Sequence, residues 1–274
     1  MSDARATVLV PVGAPAPGLD ACLAALDRHL PEGAPVLVVD DGCTDPRVGP
    51  LAEGWCARTK LDARHFRHER PWGLPNTVAA AFEQVTDGDV VLLRNDAEVT
   101  AGWLPRMQRA AEAQPRVACV AAWSGENELA AFVDHAEPEV VAEAAGGLDW
   151  PVSPALPAAA GPALYLRREA MRALGGLDTS SFYGWGALDD FCRRAEALGW
   201  GNLLCPSAYV ARGAEAAGGA TFGEIERLQV RWPDFQERVA RFILEDPLRP
   251  LRDRLRARLS ELASTGPQGD LFGH

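Results

Sequence analysis

The chain has 274 residues, which allows one large domain or two small ones, because domains usually contain about 100–200 residues. Its apolar fraction of 47% and charged fraction of 24% are ordinary for a globular protein, which disfavours a disordered chain. The formal net charge is −11, and this acidic balance argues against a general nucleic-acid-binding surface.

We expect neither a membrane span nor a leader in this sequence. Every apolar run is shorter than the about 18–20 residues that a span requires, and the first residues lack the apolar segment of a signal peptide. The six cysteines are scattered and form no C-x-x-C pair, which argues against a zinc knuckle. We therefore expect a cytoplasmic protein with reduced thiols.

Short apolar runs alternate with helical patterns along most of the chain. Strands are predicted at residues 7–12, 35–39, 89–93, 117–122 and 163–166, and helices at 18–30, 76–85, 102–114, 168–174 and 189–198. This alternation predicts an α/β fold with a mainly parallel sheet that is flanked by helices. Segment 138–162 is rich in Ala, Gly and Pro and is interpreted mostly as a long surface connection.

The C-terminal part of the chain has a different pattern. Leucines recur there at spacings of three and four residues, at Leu248, Leu251, Leu255, Leu259 and Leu262. We predict a domain over residues 1–223, a helical C-terminal extension over 224–263 and a flexible tail over 264–274. The amphipathic helix has two interpretations. It either lies on an anionic inner membrane surface or packs on the domain or on another copy in a homo-oligomer.

Acidic residues follow two of the predicted strands. Asp40 and Asp41 end one strand, and Asp96 and Glu98 follow another. Ligands of such sheets bind beyond the carboxyl ends of the strands. In an extended segment Asp96 and Glu98 would face the same side and could bind one divalent cation. The alternatives are an Asx turn for the first pair and helix capping for the second.

Three segments in this order, 8–12 (VLVPV), 38–45 (VVDDGCTD) and 89–99 (DVVLLRNDAEV), resemble the motifs of inverting family-2 glycosyltransferases. Segments 175–178 (GGLD) and 190–194 (DFCRR), with Gly199 and Trp200, resemble later motifs of that family, most closely its bacterial polysaccharide members. The resemblance covers residues 7–223. It implies the nucleotide-diphospho-sugar transferase fold, called GT-A, which is a single α/β domain.

The resemblance also implies roles for individual residues. Pro11 and Val12 would lie against the nucleobase, and Asp40 or Asp41 would contact the base or ribose. Asp96, the last acid of a D-x-D motif, would hold the Mg²⁺ or Mn²⁺ ion that bridges the donor's diphosphate. The enzyme, of hexosyltransferase type, would move a sugar from a nucleotide-sugar donor to a hydroxyl of a glycan, lipid-linked or other acceptor, with inversion.

Several positions depart from the family pattern. Arg94 replaces the first acid of the D-x-D motif, and Ala187 and Leu188 replace the usual acid pair. The late histidine ligand of the metal should fall near Ala211 and Arg212, and an arginine does not deprotonate in proteins. Because guanidinium groups suit phosphate oxygens, Arg94 and Arg212 would stabilise the diphosphate in place of part of the metal site.

The residues after the missing acid pair supply the remaining candidates. Asp189 would be the general base after a one-residue slip of the loop, and Asp190 matches an acid within the family motif. Helix capping is an alternative explanation for the presence of either Asp189 or Asp190, but not of both. Trp185 would stack on an acceptor sugar or pack in the core. The alternative functions are a degenerate glycosyltransferase-like subunit that binds nucleotide or scaffolds a complex, and a transferase whose acceptor is its own base.

Overall fold

The structure is a computed structural model that describes residues 6–13, 17–85, 87–125, 129–212 and 219–265. Its strands are β1 (Thr7–Val12), β2 (Pro35–Asp40), β3 (Asp62–Arg67), β4 (Val90–Leu93), β5 (Ala97–Val99), β6 (Val117–Trp123), β7 (Ala163–Leu166) and β8 (Gly201–Arg212). Its helices are α1 (Leu19–His29), α2 (Val48–Cys56), α3 (Leu74–Gln84), α4 (Trp103–Glu112), α5 (Pro138–Gly146), α6 (Arg168–Ala173), α7 (Gly186–Ala197), α8 (Phe222–Arg231), α9 (Phe235–Glu245) and α10 (Arg249–Thr265).

The strands of the described residues form one eight-stranded sheet in the order β3-β2-β1-β4-β7-β6-β8-β5. Strands β3, β2, β1 and β4 are parallel to one another, and β6 is parallel to β8. Strand β7 is antiparallel to both β4 and β6, and β5 is antiparallel to β8. The α/β prediction is confirmed, but the sheet is mixed, because an apolar run is typical of a buried strand in either direction.

Alternate residues of β1 point into two separate layers of the core. Val8 and Val10 pack with α1 and α4 on one face of the sheet, whereas Leu9 packs with α3, α5 and α7 on the other. Successive strand side chains point to opposite faces, so a strand that is covered on both sides is apolar throughout. This double covering leaves the strand ends as the places where polar side chains meet solvent.

The segment expected to be a surface connection is partly helical and partly buried. It contains α5, in which Val141 and Ala145 are buried, and beyond that helix Leu156, Ala158 and Ala160 are also buried. The prediction missed α5 and the buried residues, because small alanine side chains provide little contrast between the buried and exposed faces of a helix.

The C-terminal extension is a set of three helices, α8, α9 and α10. Thr221 caps α8, so this helix begins ahead of the predicted boundary at residue 224. Leu248, Leu255 and Leu259 are buried in the same cluster as the core of the domain, which places this part of the leucine stripe against the domain. Helix α10 continues to Thr265, and the rest of the predicted tail, 266–274, lies outside the described residues. Within the described ranges, no helix is both long and apolar enough to cross a membrane.

Candidate donor-binding site

The carboxyl ends of three parallel strands lie along one edge of the sheet. Strand β1 pairs in parallel with both β2 and β4, and Val12 lies opposite Asp40. A methyl group added to Gly18, the residue before α1, would lie 3.3 Å from the Cα atom of Asp96. The segment that enters α1 therefore packs directly against the residues that follow β4, where a ligand of this fold class binds.

The two residues at the end of β1 differ in accessibility. Pro11 is partly exposed, whereas Val12 is completely buried among the residues beneath α1. The side chain of Val12 therefore cannot reach a nucleobase, and only Pro11 offers a side-chain surface for the predicted contact.

Asp41 organises the loop that follows β3. Its Oδ1 atom accepts hydrogen bonds from the backbone N–H of Trp72 at 2.8 Å and lies 2.7 Å from Nδ1 of His68. Its Oδ2 atom accepts from the N–H of Gly73 at 2.8 Å, and the His68 and Trp72 rings stack with centroids 3.9 Å apart. Both oxygens are engaged within the protein, so Asp41 has a structural role whether or not it meets a nucleotide.

Only one of the two carboxylate oxygens of Asp40 accepts a hydrogen bond among the described residues. Its side chain is fully buried, and Oδ1 accepts a 2.7 Å hydrogen bond from the N–H of Cys43. Oδ2 has no hydrogen-bond donor among the described residues and lies 3.5 Å from Nε of Arg67. A buried carboxylate oxygen without a hydrogen bond is uncommon, but the side chain of Asp40 is as completely buried as that of Val12, so a nucleotide does not reach it in this structure.

Asp96 lies between two arginines. Nε of Arg94 is 3.4 Å from Oδ1 of Asp96, and Nε of Arg212 is 3.3 Å from Oδ2. Strand β5 pairs with β8 so that Ala97 is opposite Arg212, which explains why Arg212 reaches a residue so distant in sequence. All three side chains are largely buried, with exposed fractions between 9% and 16%.

The predicted metal site does not fit these surroundings. Asp96 and Glu98 both lie near the buried thiol of Cys22, whose pKa is raised by burial and further by these two charges. Each oxygen of Asp96, however, already faces a guanidinium group, and the described ranges contain no cluster of three or more acidic, histidine or cysteine side chains that could hold a metal. A divalent cation is bound by uncompensated oxygen ligands, so two adjacent positive charges disfavour it.

Trp185 is held by a partner on its ring. The guanidinium carbon of Arg94 lies 4.2 Å from the centroid of that ring, within the range of a cation–π interaction. The contact with Arg94 explains the position of the ring. Stacking on an acceptor sugar, which was the role expected from the sequence, is not needed for that.

Glu224 fixes the loop that carries Trp185, and sequence analysis did not identify it as a site residue. Its carboxylate is buried and accepts hydrogen bonds from the N–H groups of Tyr183 at 3.2 Å and Gly184 at 2.6 Å. It also forms a capping box with Thr221. The T-x-x-E spacing from Thr221 to Glu224 is a recognisable capping signal, but this spacing does not predict the hydrogen bonds from Tyr183 and Gly184 to Glu224.

Asp189 and Asp190 have different environments in α7. Asp189 lies one helical turn after Trp185, a spacing that places two side chains on one helix face. It is partly exposed, and its Oδ1 accepts a hydrogen bond from the N–H of Ala159 at 3.2 Å. Ala187 and Leu188, at the positions of the family's acid pair, are buried in the core.

Asp190 is completely buried. Oδ1 accepts hydrogen bonds from Nη1 of Arg231 and from Nε1 of Trp232, both at 3.0 Å, and Oδ2 accepts from Nε of Arg194 at 2.8 Å. These contacts join α7 to the C-terminal helices. The structure thus does not place Asp190 where an acceptor could reach it, and its contacts explain it as a packing residue.

Residues 7–149 match the sequence profile described as Glycosyl transferase family 2. The chain belongs to this family. The match includes the ends of β1, β2 and β4, and therefore Asp40 and Asp96. No curated protein sequence matches the chain.

Solved structures of other glycosyltransferases share the fold of this family 2 protein. GalNAc-T7 with UDP, GalNAc and Mn²⁺ superposes with a TM-score of 0.60 at 14% identity, over 94% of this chain and 55% of that one. The mannosyltransferase PcManGT from Pyrobaculum calidifontis, in complex with GDP-Man and Mn²⁺, superposes with a TM-score of 0.59 at 18% identity, over 97% of this chain and 77% of that one. TarS from S. aureus with UDP-GlcNAc superposes with a TM-score of 0.53 at 15% identity, over 78% of this chain and 60% of that one. At these identities the similarity establishes the GT-A fold, and this chain spans about half the length of the GalNAc-T7 chain.

Proposed function

We propose that this protein is an inverting glycosyltransferase that moves a sugar from a nucleotide-diphosphate donor to a hydroxyl group. The observation that carries the proposal is the arginine pair of Arg94 and Arg212, placed beside the strand ends of a family 2 domain. A diphosphate leaving group carries about two negative charges, and positive groups fixed beside it stabilise its departure. Glycosyltransferases of the same fold that hold UDP or GDP-Man support this class of donor.

The nucleoside end of the donor would lie toward the ends of β1 and β2. Pro11 offers a partly exposed ring there, and Oδ2 of Asp40 is an acceptor without a hydrogen bond. Asp40 is buried, so a ribose hydroxyl or a base N–H would supply the missing donor only once the residues that cover Asp40 move on donor binding. Asp41 would act indirectly, through the loop that it holds.

Asp189 is the proposed general base. Trp185 contacts Arg94 on one side of the proposed diphosphate site, and Asp189 follows it by one helical turn. The Asp189 carboxylate would take the proton of the acceptor hydroxyl as its oxygen bonds to the anomeric carbon. The bond from that carbon to the diphosphate breaks, and its electron pair leaves with the nucleoside diphosphate. A single displacement of this kind inverts the anomeric centre.

The acceptor is proposed only by class, as the hydroxyl of a glycan, a lipid-linked sugar or a related molecule. A hexose is the proposed sugar, since the family 2 fold is shared with hexosyl-type transferases such as the mannosyltransferase above.

A thermal-shift titration with UDP, GDP, dTDP and their hexose conjugates tests donor binding. A ligand that binds only the folded state raises the melting temperature in proportion to the logarithm of its concentration. We expect at least one diphosphate nucleotide to do so, while the matching nucleoside has a much smaller effect. If no nucleotide of the panel stabilises the protein, with or without Mn²⁺, the proposal is wrong.

A non-catalytic subunit that binds nucleotide is the second candidate. The buried Ala187 and Leu188 favour it, because the positions of the family's acid pair carry no carboxylate here. Nucleotide binding without hydrolysis or transfer of any donor in the panel would distinguish this function from the first.

A further inference from the structure

We propose that the donor's diphosphate binds to this protein without a divalent cation, and that it displaces Asp96 from Arg94 and Arg212. This inference rests on the proposed function, because it assumes that the nucleotide site lies at the ends of β1 and β4. Asp96 would then be a counter-ion that competes with the donor, where the family motif would make it a metal ligand.

Positive charge lies next to both oxygens of Asp96. One guanidinium group faces each oxygen of this carboxylate, so a metal ion placed there would lie next to two positive charges. A diphosphate would meet the same two groups with the opposite sign. Guanidinium groups also match phosphate oxygens in shape, because their planar N–H donors can bind two oxygens at once.

The distances indicate that Asp96 can be replaced. Both ion pairs, at 3.4 and 3.3 Å between Nε and the carboxylate oxygen, are longer than the about 2.7–2.9 Å of a tight charged hydrogen bond. An anion with more charge and more oxygens than one carboxylate would therefore compete well for both arginines.

Both arginines are held in place by contacts within the protein. Arg94 is fixed at its backbone by a 2.8 Å hydrogen bond from its N–H to the carbonyl of Pro162, and its guanidinium lies over Trp185. Arg212 is in β8, which pairs with β5. Positive groups that are ordered before the ligand arrives bind it with a smaller loss of conformational entropy.

Calorimetric titration of nucleoside diphosphates and of inorganic pyrophosphate, in excess EDTA and in excess Mn²⁺, tests the inference. For the wild-type protein we expect the affinities in the two buffers to agree within about threefold, a difference of less than 1 kcal/mol. Asp96→Asn keeps the size of the side chain and removes its charge, so it should bind in EDTA as tightly as the wild type or up to about tenfold more tightly. Arg212→Gln should bind about tenfold or more weakly.

The matched controls are Glu237→Gln and Arg241→Gln, which break an exposed ion pair within α9 and should leave binding unchanged. Thermal melts of each variant verify that it is folded. Binding that requires Mn²⁺ and is lost in Asp96→Asn would overturn the inference and leave the proposed function standing. If no nucleotide binds in either buffer, the proposed function is wrong as well.

Discussion

The guanidinium carbon of Arg94 lies 4.2 Å from the centre of the Trp185 ring. Arg94 follows β4, and Trp185 precedes α7, so this contact joins the edge of the sheet to the helix that carries Asp189. It connects the proposed diphosphate site with the proposed base, and the glutamate that holds the Trp185 loop, Glu224, belongs to the C-terminal helices. The site therefore depends on elements that lie far apart in the chain.

Replacing Trp185 by leucine should weaken nucleotide binding by about three- to tenfold. The reason is that a cation–π contact of a partly buried arginine contributes about 0.5–2 kcal/mol, and its loss frees the Arg94 side chain. Calorimetry with the best-binding nucleoside diphosphate measures the effect. Trp150→Leu is the control, because Trp150 pairs with Arg254 at 5.5 Å in a different part of the molecule. Equal losses of affinity in the two variants would argue against a specific role for Trp185.

Asp189→Asn should lower the rate of donor turnover by about 10²–10⁴-fold while leaving donor affinity within a factor of two, since a general base contributes about that much to the rate. The measurement combines release of nucleoside diphosphate from the preferred donor with a binding titration. Asp149→Asn, an exposed acid of the segment after α5, should change neither. Turnover by Asp189→Asn at the wild-type rate would exclude this residue as the base.

Glu224→Ala should destabilise the protein by about 1–2 kcal/mol, because it leaves the partly buried N–H groups of Tyr183 and Gly184 without their acceptor. Urea unfolding at neutral pH provides the free energy of unfolding. The exposed Glu226 is in the same helix, and Glu226→Ala should change stability by no more than about 0.5 kcal/mol. We also expect Glu224→Ala to weaken nucleotide binding, since the released loop carries Trp185, and unchanged affinity would show that the loop position does not depend on this contact.

Asp178 should contribute to stability in a pH-dependent way. Burial raises its pKa, but hydrogen bonds from Ser180, Arg231 and Ser181 together lower it well below the ordinary value of 3.8. Because the folded-state pKa lies below the unfolded one, the stabilisation is fully present above about pH 5 and is lost as the pH falls through the folded-state pKa. Asp178→Asn should therefore be less stable than the wild type at pH 7, and the difference should diminish below pH 4. A difference in unfolding free energy that stays constant from pH 7 to pH 3 would contradict this assignment.

Much of the fold could be predicted because buried strands have a plain signature. The bounds of β1 and β7 were predicted at 7–12 and 163–166, as the structure has them, since a strand covered on both faces is a continuous apolar run. Strand β3 was not predicted, because it lies at the edge of the sheet with a half-polar sequence. The short β5 was missed as well, since three residues carry too little pattern.

The site was predictable only in part. Sequence placed Asp40, Asp41 and Asp96 at strand ends, and the parallel pairing of β1 with β2 and β4 brings those ends together. The family resemblance favoured Asp189 over Asp190 as the base, but only the structure distinguishes their surroundings, because Asp190 is buried among Arg194, Arg231 and Trp232. The distinction depends on which face of α7 the C-terminal helices cover, and that is a matter of packing between distant segments.

The amino-acid sequence alone determined the family, the alternation of strands and helices, and the acids that end the strands, because these depend on local patterns of apolar and polar residues. Only the tertiary structure decided what those acids contact. Asp96 meets Arg212 because β8 lies antiparallel to β5, and Arg94 meets Trp185 because the loop before α7 is held over the end of β4. Whether a carboxylate binds a metal ion or balances two arginines depends on the charges that folding brings within a few ångströms of it, and those charges come from residues far away in the chain.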